Sequence, residues 1–294
     1  MENVAILGGG SWGTALAISL AKKKIAVDLW CRNTAQAEEM EKSRVNSKYL
    51  PNAELPEGVQ VTADLKDAVS GKSMVVLAVQ SVRQVSSDIK PWLAKDAIVV
   101  NVAKGLELGT NLRLSQVVEE VLPDNPFVAL CGPSHAEEVS IGMPTGLVAA
   151  SHEREAAMAV QDMFISPTLR VYTNDDLIGV EIGGALKNII ALANGIAVGL
   201  GYGDNTQAML LTRGLAEITR LGVALGAKSA TFLGLTGVGD LVVTCNSEHS
   251  RNRRCGEALG RGEKLGQVLS DMGMVVEGVN TTRAAVDLAR KSSI

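Results

Sequence analysis

The chain contains one long stretch of apolar and small residues, Leu177-Ile-Gly-Val-Glu-Ile-Gly-Gly-Ala-Leu-Lys187-Asn188-Ile-Ile-Ala-Leu-Ala-Asn194-Gly-Ile-Ala-Val-Gly-Leu200. Its Ala, Leu and Ile content predicts a long buried helix, because strands of this length are rare. Lys187 and Asn194 lie seven residues apart and share one helix face, which Gly184 and Ala191 keep otherwise small. A buried lysine among small residues indicates a ligand site. The alternative is a lysine with a buried stem whose ammonium reaches water.

Before this stretch, short apolar runs alternate with helical patterns, which is typical of a parallel α/β sheet. The predicted strands are Val4–Leu7, Ile25–Cys31, Met74–Val79, Ile98–Ala103, Phe127–Cys131, Gly146–Ala150 and Leu169–Tyr172. The helical patterns between them cover 14–23, 34–44, 82–93, 111–122, 134–140 and 153–164. Four of these strands end at small or polar residues, namely Gly8-Gly-Gly-Ser11, Gln80-Ser81, Lys104-Gly105 and Gly132-Pro-Ser134. Because the carboxyl ends of parallel strands line the ligand crevice, we expect these four loops to face one cleft.

After the stretch, helical patterns dominate, and they cover 204–226, 228–233, 251–260, 264–272 and 281–291. A glycine-rich break at Gly234–Asp240 and a short apolar run at Leu241–Val243 interrupt them. The domain boundary is predicted near Thr173–Asp176, where Asn174 and Asp175 can cap the long helix.

Length and composition are those of a two-domain globular protein. The chain has 294 residues, of which 46% are hydrophobic and 20% charged, and its net charge is −4. A weakly acidic chain does not favour nucleic-acid or anionic-membrane binding. The N-terminus enters a strand without a signal peptide, and the polar side chains within 177–200 make membrane insertion costly. The cysteines are scattered without a C-x-x-C pair, so we expect a cytoplasmic, reduced protein with no bound metal.

A glycine motif directly follows the first predicted strand. Gly8-Gly-Gly-Ser-Trp-Gly13 matches G-x-G-x-x-G and precedes a helix of small residues. Gly8 permits a tight turn, Gly10 lets the backbone approach a pyrophosphate, and Gly13 packs helix on strand. We therefore predict an α/β fold, with an N-terminal doubly wound (Rossmann), mostly parallel sheet that binds a dinucleotide over residues 1–176. An all-α substrate-binding domain follows over residues 177–294.

The residues after the second predicted strand bear on the choice of cofactor. A carboxylate about 20 residues beyond the glycine motif would bind the ribose 2′-hydroxyl of NAD, but Asp28 falls within the strand. Arg32 lies just past the strand end and can meet a 2′-phosphate, so NADP(H) is favoured and NAD(H) stays open. The alternative is a solvated surface arginine.

Two further strand ends carry polar groups. Lys104 ends a strand where a cation can meet an anionic ligand, although lysine is also common in loops. Gly132-Pro-Ser134-His135 combines a rigid turn with a helix start, and Ser134 can cap that helix whether or not it binds a ligand. His135 could act as a base, but a histidine in a first turn is more often a capping or surface residue.

The helical half supplies the candidates for chemistry. Lys187, partly desolvated and near other cations, is expected to have a lowered pKa and to exchange protons near neutrality. Arg251 opens a predicted helix behind Ser250 as N-cap, where cations oppose the helix dipole unless an anion binds. The alternative is an exposed basic face. Asp240 follows a glycine turn that can place its carboxylate in a cleft, or it can cap the next segment.

These motifs together resemble the NAD(P)-dependent glycerol-3-phosphate dehydrogenases of bacterial type. The matching stretches are GGGSWGTALA, VNVAKGLE, CGPSHAEEV, GVEIGGALKNIIALANGI, TRGLAEITRLG, GLTGVGDLVVTC, SRNRR and VVEGV, in that order. The resemblance implies reduction of dihydroxyacetone phosphate by NADPH or NADH. The product is sn-glycerol 3-phosphate, a precursor of glycerophospholipids. A homodimer is the assembly we consider.

The resemblance also implies roles for individual residues. Lys187 matches the proton-transferring lysine, and Lys104 matches a contact to both substrate and cofactor. The matched substrate contacts are Gly132, Ser134, Asp240, Ser250, Arg251 and Asn252. The matched cofactor contacts are Ser11, Trp12, Arg32, Ala136, Arg251, Val275 and Glu277, beside the glycines of the motif. Asn188 is expected to help orient the substrate, and Asn194 has no assigned role.

One departure from the family pattern stands out. Family members usually continue with a further helical segment after the stretch that resembles Thr281–Arg290, whereas this sequence ends at Ile294. The matched residues all precede that point. Two other functions remain open from the residues alone. One is a related dehydrogenase whose hydroxy-acid substrate presents a carboxylate to Arg251, and the other is a dinucleotide sensor without catalysis.

Overall fold

The computed structural model describes residues 3–273 and 275–291, and these form two compact units. The first unit contains the chain up to Ala103, Leu114–Leu130 and Ser134–Asp175. The second contains Lys104–Arg113, Cys131–Pro133 and the chain from Asp176 onward. The segments that follow two of the predicted strands therefore belong to the helical unit.

The first unit is built on a twisted sheet with helices. Its strands are β1 (Asn3–Leu7), β2 (Ala26–Trp30), β3 (Val45–Asn46), β4 (Leu50–Glu54), β5 (Val59–Thr62), β6 (Met74–Leu77), β7 (Ile98–Asn101), β8 (Phe127–Cys131), β9 (Thr145–Ala150) and β10 (Leu169–Asn174). Its helices are α1 (Ser11–Lys22), α2 (Thr34–Ser43), α3 (Leu65–Val69), α4 (Val82–Ile89), α5 (Leu114–Val121), α6 (Ala136–Ile141) and α7 (Arg154–Phe164).

The strand order explains where a ligand can bind in this unit. Eight strands run in the order β10-β9-β8-β7-β6-β1-β2-β5, and the pairs that β1 makes with β2 and with β6 are parallel. The chain leaves β1 towards β2 and β5 and then returns to β6 on the other side of β1. That reversal is a topological switch point, where open α/β sheets bind their ligands. Gly8 directly follows β1 at this point.

The prediction of a doubly wound, mostly parallel sheet is confirmed. Each predicted strand is present with small differences at its ends. The central strands β1, β6 and β7 are apolar and almost completely buried, as parallel strands covered on both faces should be. Three short elements are not predicted from the sequence: the antiparallel hairpin β3–β4, the edge strand β5 and the short helix α3. Each is too short for its hydrophobic period to stand out.

The second unit is helical. Its helices are α8 (Leu177–Gly199), α9 (Asp204–Ala224), α10 (Asp240–Asn246), α11 (Arg251–Gly260), α12 (Leu265–Met272) and α13 (Glu277–Lys291), with a 3-10 helix at Ser229–Leu233 and a π-helix at Leu235–Gly239. The predicted glycine-rich break at Gly234–Asp240 is therefore wrong. The backbone there is wound into the π-helix, and the apolar run Leu241–Val243 lies in α10.

The long helix α8 is the centre of this unit. It is capped by Asp176, whose Oδ1 accepts from the backbone N–H of Gly179 at 2.9 Å and whose Oδ2 accepts from the Thr231 hydroxyl at 2.5 Å. The prediction that Asn174 or Asp175 caps this helix is wrong, because the cap lies one residue later. The helix is long and apolar enough to cross a membrane by composition, but most of its apolar window is buried inside the protein.

Helices α8 and α11 cross in backbone contact through two pairs of glycines. Gly195 and Gly199 lie four residues apart on α8, and Gly256 and Gly260 have the same spacing on α11. A Cβ at Gly256 would lie 2.2 Å from the carbonyl oxygen of Leu192, and a Cβ at Gly195 would lie 2.1 Å from that of Arg253. Real Cβ atoms do not approach this closely, so the crossing requires glycine.

We predict that Gly256→Ala destabilises the second unit by about 1–3 kcal/mol, because the added methyl overpacks a backbone contact. Gly266→Ala is the matched control. It also lies in a helix, but nothing is within 4 Å of the position of its Cβ. That variant should be neutral or stabilising by up to about 1 kcal/mol, since alanine favours helix. Urea unfolding measures the free energy of unfolding of both variants, and equal stability of the two would contradict the crossing geometry.

Candidate active site

In the glycine loop of the first unit, steric contacts require glycine at Gly8 and Gly13 but not at Gly10. Gly8 has φ +126°, and a Cβ there would lie 2.3 Å from the carbonyl oxygen of Ala78. A Cβ at Gly13 would lie 2.0 Å from the Gly8 oxygen, whereas nothing is within 4 Å of a Cβ at Gly10. Gly10 is the N-cap of α1 and offers no side-chain cap to the first-turn N–H groups. Free N–H groups at a helix start beside a switch point fit a dinucleotide pyrophosphate.

Two charged residues, Asp28 and Arg32, lie within and just after β2. Asp28 lies inside β2 and forms an ion pair with the buried Lys72, so its carboxylate is engaged in the fold. Arg32 is exposed just beyond the strand, and its guanidinium has no hydrogen bond or ion pair within residues 3–273 and 275–291. Asn33 then caps α2 by accepting from the backbone N–H of Gln36 at 2.9 Å.

Two lysines converge on one buried carboxylate in the second unit. Lys187 Nζ lies 2.8 Å from Oδ1 of Asp240, and Lys104 Nζ lies 2.7 Å from Oδ2 of the same side chain. Lys104 also donates to the carbonyl oxygen of Gly132 at 3.0 Å. Lys187 donates to the Thr244 hydroxyl at 2.5 Å, and that hydroxyl donates to the Asp240 carbonyl oxygen at 2.6 Å. Lys187 and Asp240 are 5% and 1% exposed, so water does not screen them.

Burial and mutual attraction set the charges of this cluster. Burial and the nearby Lys104 ammonium lower the pKa of Lys187, against the attraction of Asp240. For Lys104, burial is outweighed by the Asp240 carboxylate, which holds the pKa above its ordinary value. Burial would raise the pKa of Asp240, but the two ammonium groups bring it below its ordinary value. The cluster is thus a carboxylate between two cations, and Lys187 is the member that gives up its proton most readily.

Lys187 has one donor left after its contacts with the protein. An ammonium has three N–H groups. One is directed to Asp240 and one to Thr244, and no third acceptor is present in the described part of the chain. The face beside it is kept narrow by Gly183 and Gly184, where a Cβ would lie 2.5 Å from the Thr236 oxygen and 2.8 Å from a cysteine sulfur respectively. An oxygen-bearing substrate can therefore accept the third N–H.

A chain of amides links α8, α11 and the start of α13. Asn188 Nδ2 donates to a Glu277 carboxylate oxygen at 2.7 Å, and Asn252 Nδ2 donates to Asn188 Oδ1 at 2.9 Å. Asn252 Oδ1 in turn accepts from the backbone N–H of Gly278 at 2.8 Å. Asn188 and Asn252 are almost fully buried, and their paired amides leave no polar atom unsatisfied. This chain fixes the relative rotation of the three helices.

The start of α11 has the features of an anion site. Ser250 is its N-cap, with Oγ accepting from the backbone N–H of Arg253 at 3.2 Å. Arg253 is paired with Glu257 at 2.8 Å, whereas the half-buried Arg251 has no hydrogen bond or ion pair in the part of the chain that the structure describes. A guanidinium at a helix N-terminus without a carboxylate partner can bind phosphate together with the helix N–H groups.

The remaining candidate site residues are divided between the two units. Ser11, Trp12, Arg32, Ser134 and Ala136 belong to the first unit, with Ala136 opening α6 and His135, rather than Ser134, at its N-cap position. Val275 and Glu277 belong to the second unit, and Glu277 opens α13, four residues before the predicted helix start.

Two polar residues of the second unit are not among the site residues predicted from the sequence. Thr244 was missed, although it follows Asp240 by four residues and so shares its helix face. Asn194 was given no role, and it is completely buried, donating to the Cys245 carbonyl oxygen at 3.1 Å. For Thr244 the signal is helical spacing from Asp240, which is visible only if the 241–243 run is taken as helix. For Asn194 the partner lies 51 residues away in sequence, so no local pattern predicts its contact.

Comparison with known proteins identifies the family of both halves. A family model described as the NAD-dependent glycerol-3-phosphate dehydrogenase N-terminus matches residues 3–157, and one described as the C-terminus matches residues 176–294. A relative from Moorella thermoacetica, named glycerol-3-phosphate dehydrogenase (NAD(P)+), is 57% identical over 100% of this chain and 88% of its own length. A relative of the same name from Desulfitobacterium hafniense is 55% identical over 100% of this chain and 84% of its own.

A solved structure shows the same fold. The crystal structure of a glycerol-3-phosphate dehydrogenase from Coxiella burnetii matches with a TM-score of 0.96 at 39% identity, over 100% of this chain and 90% of that one. Sequence identity, both family models and the shared fold agree, and they favour neither the hydroxy-acid dehydrogenase nor the sensor. The chain is an oxidoreductase that belongs to the NAD(P)-dependent glycerol-3-phosphate dehydrogenase family.

Proposed function

We propose that this protein reduces dihydroxyacetone phosphate to sn-glycerol 3-phosphate, reversibly, in the cytoplasm, and that the product feeds glycerophospholipid synthesis. Residues 1–176 act as the dinucleotide-binding domain and residues 177–294 as the helical substrate-binding domain of a homodimer. Family membership supports the substrate class and the use of NAD or NADP. The observation that carries the proposed chemistry is the third N–H of Lys187, which no acceptor in the described chain takes up.

Lys187 is the proposed proton donor. Its lowered pKa makes the ammonium a stronger acid than an exposed lysine, so it can protonate the oxygen of a ketone as the alcohol forms. In the reverse direction the neutral amine takes the proton back. Before transfer, the same positive charge stabilises the negative charge that develops on the substrate oxygen, in a site from which bulk water is excluded. Asp240 and Thr244 hold Nζ in place through two of its hydrogen atoms.

The second lysine and the helix start are proposed to bind the rest of the substrate. Lys104 has two of its donors directed to Asp240 and Gly132, which leaves one for a substrate oxygen. Arg251 binds the phosphate together with the N–H groups at the start of α11, behind the Ser250 cap. The other proposed substrate contacts are Ser134, Asn188 and Asn252.

The cofactor is proposed to lie on Gly8, Gly10 and Gly13, with its pyrophosphate at the N-terminus of α1. A bound nicotinamide dinucleotide supplies the hydride that the protein itself lacks. Arg32, exposed and without an ion pair in the described chain, favours the 2′-phosphate of NADP(H) over NAD(H). The other proposed cofactor contacts are Ser11, Trp12, Lys104, Ala136, Arg251, Val275 and Glu277.

The direct test is an assay of the purified protein with dihydroxyacetone phosphate and NADPH, and then with NADH, in which absorbance follows oxidation of the reduced cofactor. We expect turnover with both and a higher kcat/KM with NADPH. Phosphorylated and carboxylated ketones are compared in the same assay. Turnover of the carboxylated ketones alone, or of no ketone, would overturn the proposed function, and a preference for NADH would overturn the role of Arg32.

Replacing the proton donor should remove the chemical step. We expect Lys187→Met to lower kcat by about a hundredfold or more, the range of general acid catalysis, while NADPH affinity measured by fluorescence titration stays unchanged. Lys90→Met, at an exposed lysine of the first unit, is the control. In the unmodified protein, kcat for ketone reduction should fall as pH rises through the lowered pKa of Lys187, because the neutral amine has no proton to donate. Near-normal kcat of Lys187→Met would refute this role.

The role of Arg251 predicts a loss of selectivity for the phosphate. A hydrogen bond to a charged group contributes about 1.5–3 kcal/mol, so Arg251→Ala should lower kcat/KM for dihydroxyacetone phosphate by about 10- to 150-fold. Because Arg251 is also a proposed cofactor contact, both substrates are assayed at saturating NADPH, where the low rate with unphosphorylated dihydroxyacetone should not change. Arg254→Ala, three residues along the same helix and exposed, is the matched control. If Arg251→Ala reduces both substrates equally, the arginine does not bind the phosphate.

A further inference from the structure

Two side-chain amides converge on the carbonyl oxygen of Gly9, inside the glycine loop. Gln36 Nε2 donates to it at 2.7 Å, and Asn46 Nδ2 donates to it at 3.0 Å. Asn46 is completely buried and also contacts the Thr14 hydroxyl at 2.8 Å. A carbonyl oxygen has two lone pairs, and here both face a donor. The direction of this C=O bond is therefore fixed by side chains rather than by helix or sheet.

Fixing one carbonyl fixes the next N–H. The described chain has no cis peptide bond, and in a planar trans peptide the C=O of one residue points opposite to the N–H of the next. With the Gly9 oxygen held against Gln36 and Asn46, the Gly10 N–H points away from them. That N–H donates to no acceptor within the residues that the structure describes. No atom lies within 4 Å of a Cβ at Gly10.

The hairpin β3–β4 is what brings Asn46 to the loop. The pairing of the hairpin is irregular between Val45 and Asn46, so the side chain of Asn46 is released from the regular alternation of a strand. A second hydrogen bond joins the hairpin to the loop, because the Ser11 hydroxyl donates to the Tyr49 carbonyl oxygen at 2.8 Å. The loop is thus attached to the hairpin at two points, on either side of Gly10.

Gly9 also packs against Cys31. A Cβ at Gly9 would lie 2.2 Å from the Cys31 sulfur, so the peptide rests directly on the side chain. Burial raises the pKa of this thiol to about 11, so it carries no negative charge near neutrality. The loop is therefore held by two amide donors and packs on an uncharged thiol, and nothing in this packing would repel an anion.

We propose that Asn46 and Gln36 are positioning residues for the cofactor pyrophosphate. By holding the Gly9 carbonyl they direct the Gly10 N–H towards the phosphate oxygens before the nucleotide binds. The inference rests on the proposed placement of the dinucleotide on Gly8–Gly13. It assigns a function to a hairpin that contributes no residue to the proposed chemistry.

The test removes the donors without adding charge. Asn46→Leu and Gln36→Met keep approximate side-chain shape but cannot hold the Gly9 oxygen. Calorimetry of the full-length variants with ADP-ribose, which contains the pyrophosphate, should show a rise in Kd of about tenfold or more for Asn46→Leu and a smaller rise for Gln36→Met. Adenosine 2′-monophosphate, which lacks the pyrophosphate, should bind all variants within about twofold of the unmodified protein.

Asn52→Leu is the matched control, because it makes the same change at an exposed position of the same hairpin. Thermal unfolding without nucleotide identifies a variant that does not fold, and if Asn46→Leu fails, Gln36→Met decides. Equal loss of both ligands, or unchanged ADP-ribose binding in folded variants, would overturn the inference. If the unmodified protein binds neither ligand, the proposed cofactor placement fails instead.

Discussion

The helical unit depends on one buried ion cluster, in which Asp240 lies between Lys104 and Lys187. Burying a single charge of this kind would be prohibitive, and even a pair seldom stabilises a fold. Three charges are tolerated here because each side chain is also hydrogen-bonded to a neighbour, Lys104 to Gly132 and Lys187 to Thr244. The cluster joins the segment that begins at Lys104 to α8 and α10. Its burial carries a cost in folding free energy, which the packing of the surrounding helices offsets.

The stabilisation comes from close backbone packing around α8. The glycine pairs on α8 and α11 bring two helix backbones into contact. Gly183 does the same for α8 and the π-helix, and Gly184 makes room for the side chain of Cys131 at the end of β8. Small residues therefore have two roles in one helix. They let helix backbones pack against each other without cavities. They also leave space beside Lys187 that a larger side chain would fill. This explains why a helix of membrane-like composition carries a lysine and two asparagines at its centre.

The sequence is sufficient to predict elements with strong hydrophobic periodicity and motifs formed by residues close together in the chain. The central strands, the glycine loop and the Ser250 cap follow from apolar runs and from residue type. The hairpin containing Asn46 and the helix containing Thr244 did not. A two-residue strand, and a seven-residue helix that directly follows a glycine-rich π-helix, are too short to show a hydrophobic period. The pairing of Asn188 with Glu277 spans 89 residues, and no local pattern encodes such a contact. Local sequence patterns do not reveal the long-range contacts that orient the site.

Both proposed binding elements follow the same physical rule. A polar group binds a ligand best when its direction is fixed and one of its hydrogen-bond donors has no acceptor in the protein. The protein then does not reorganise on binding. Lys187 meets this condition because Asp240 and Thr244 take two of its three donors. The Gly10 N–H meets it because the peptide before it is held by two amides. In each case buried hydrogen bonds to residues outside the reaction leave one donor, already oriented, for an anionic oxygen. In the proposed site, polar residues without a substrate contact thus set the direction of the donors that have one.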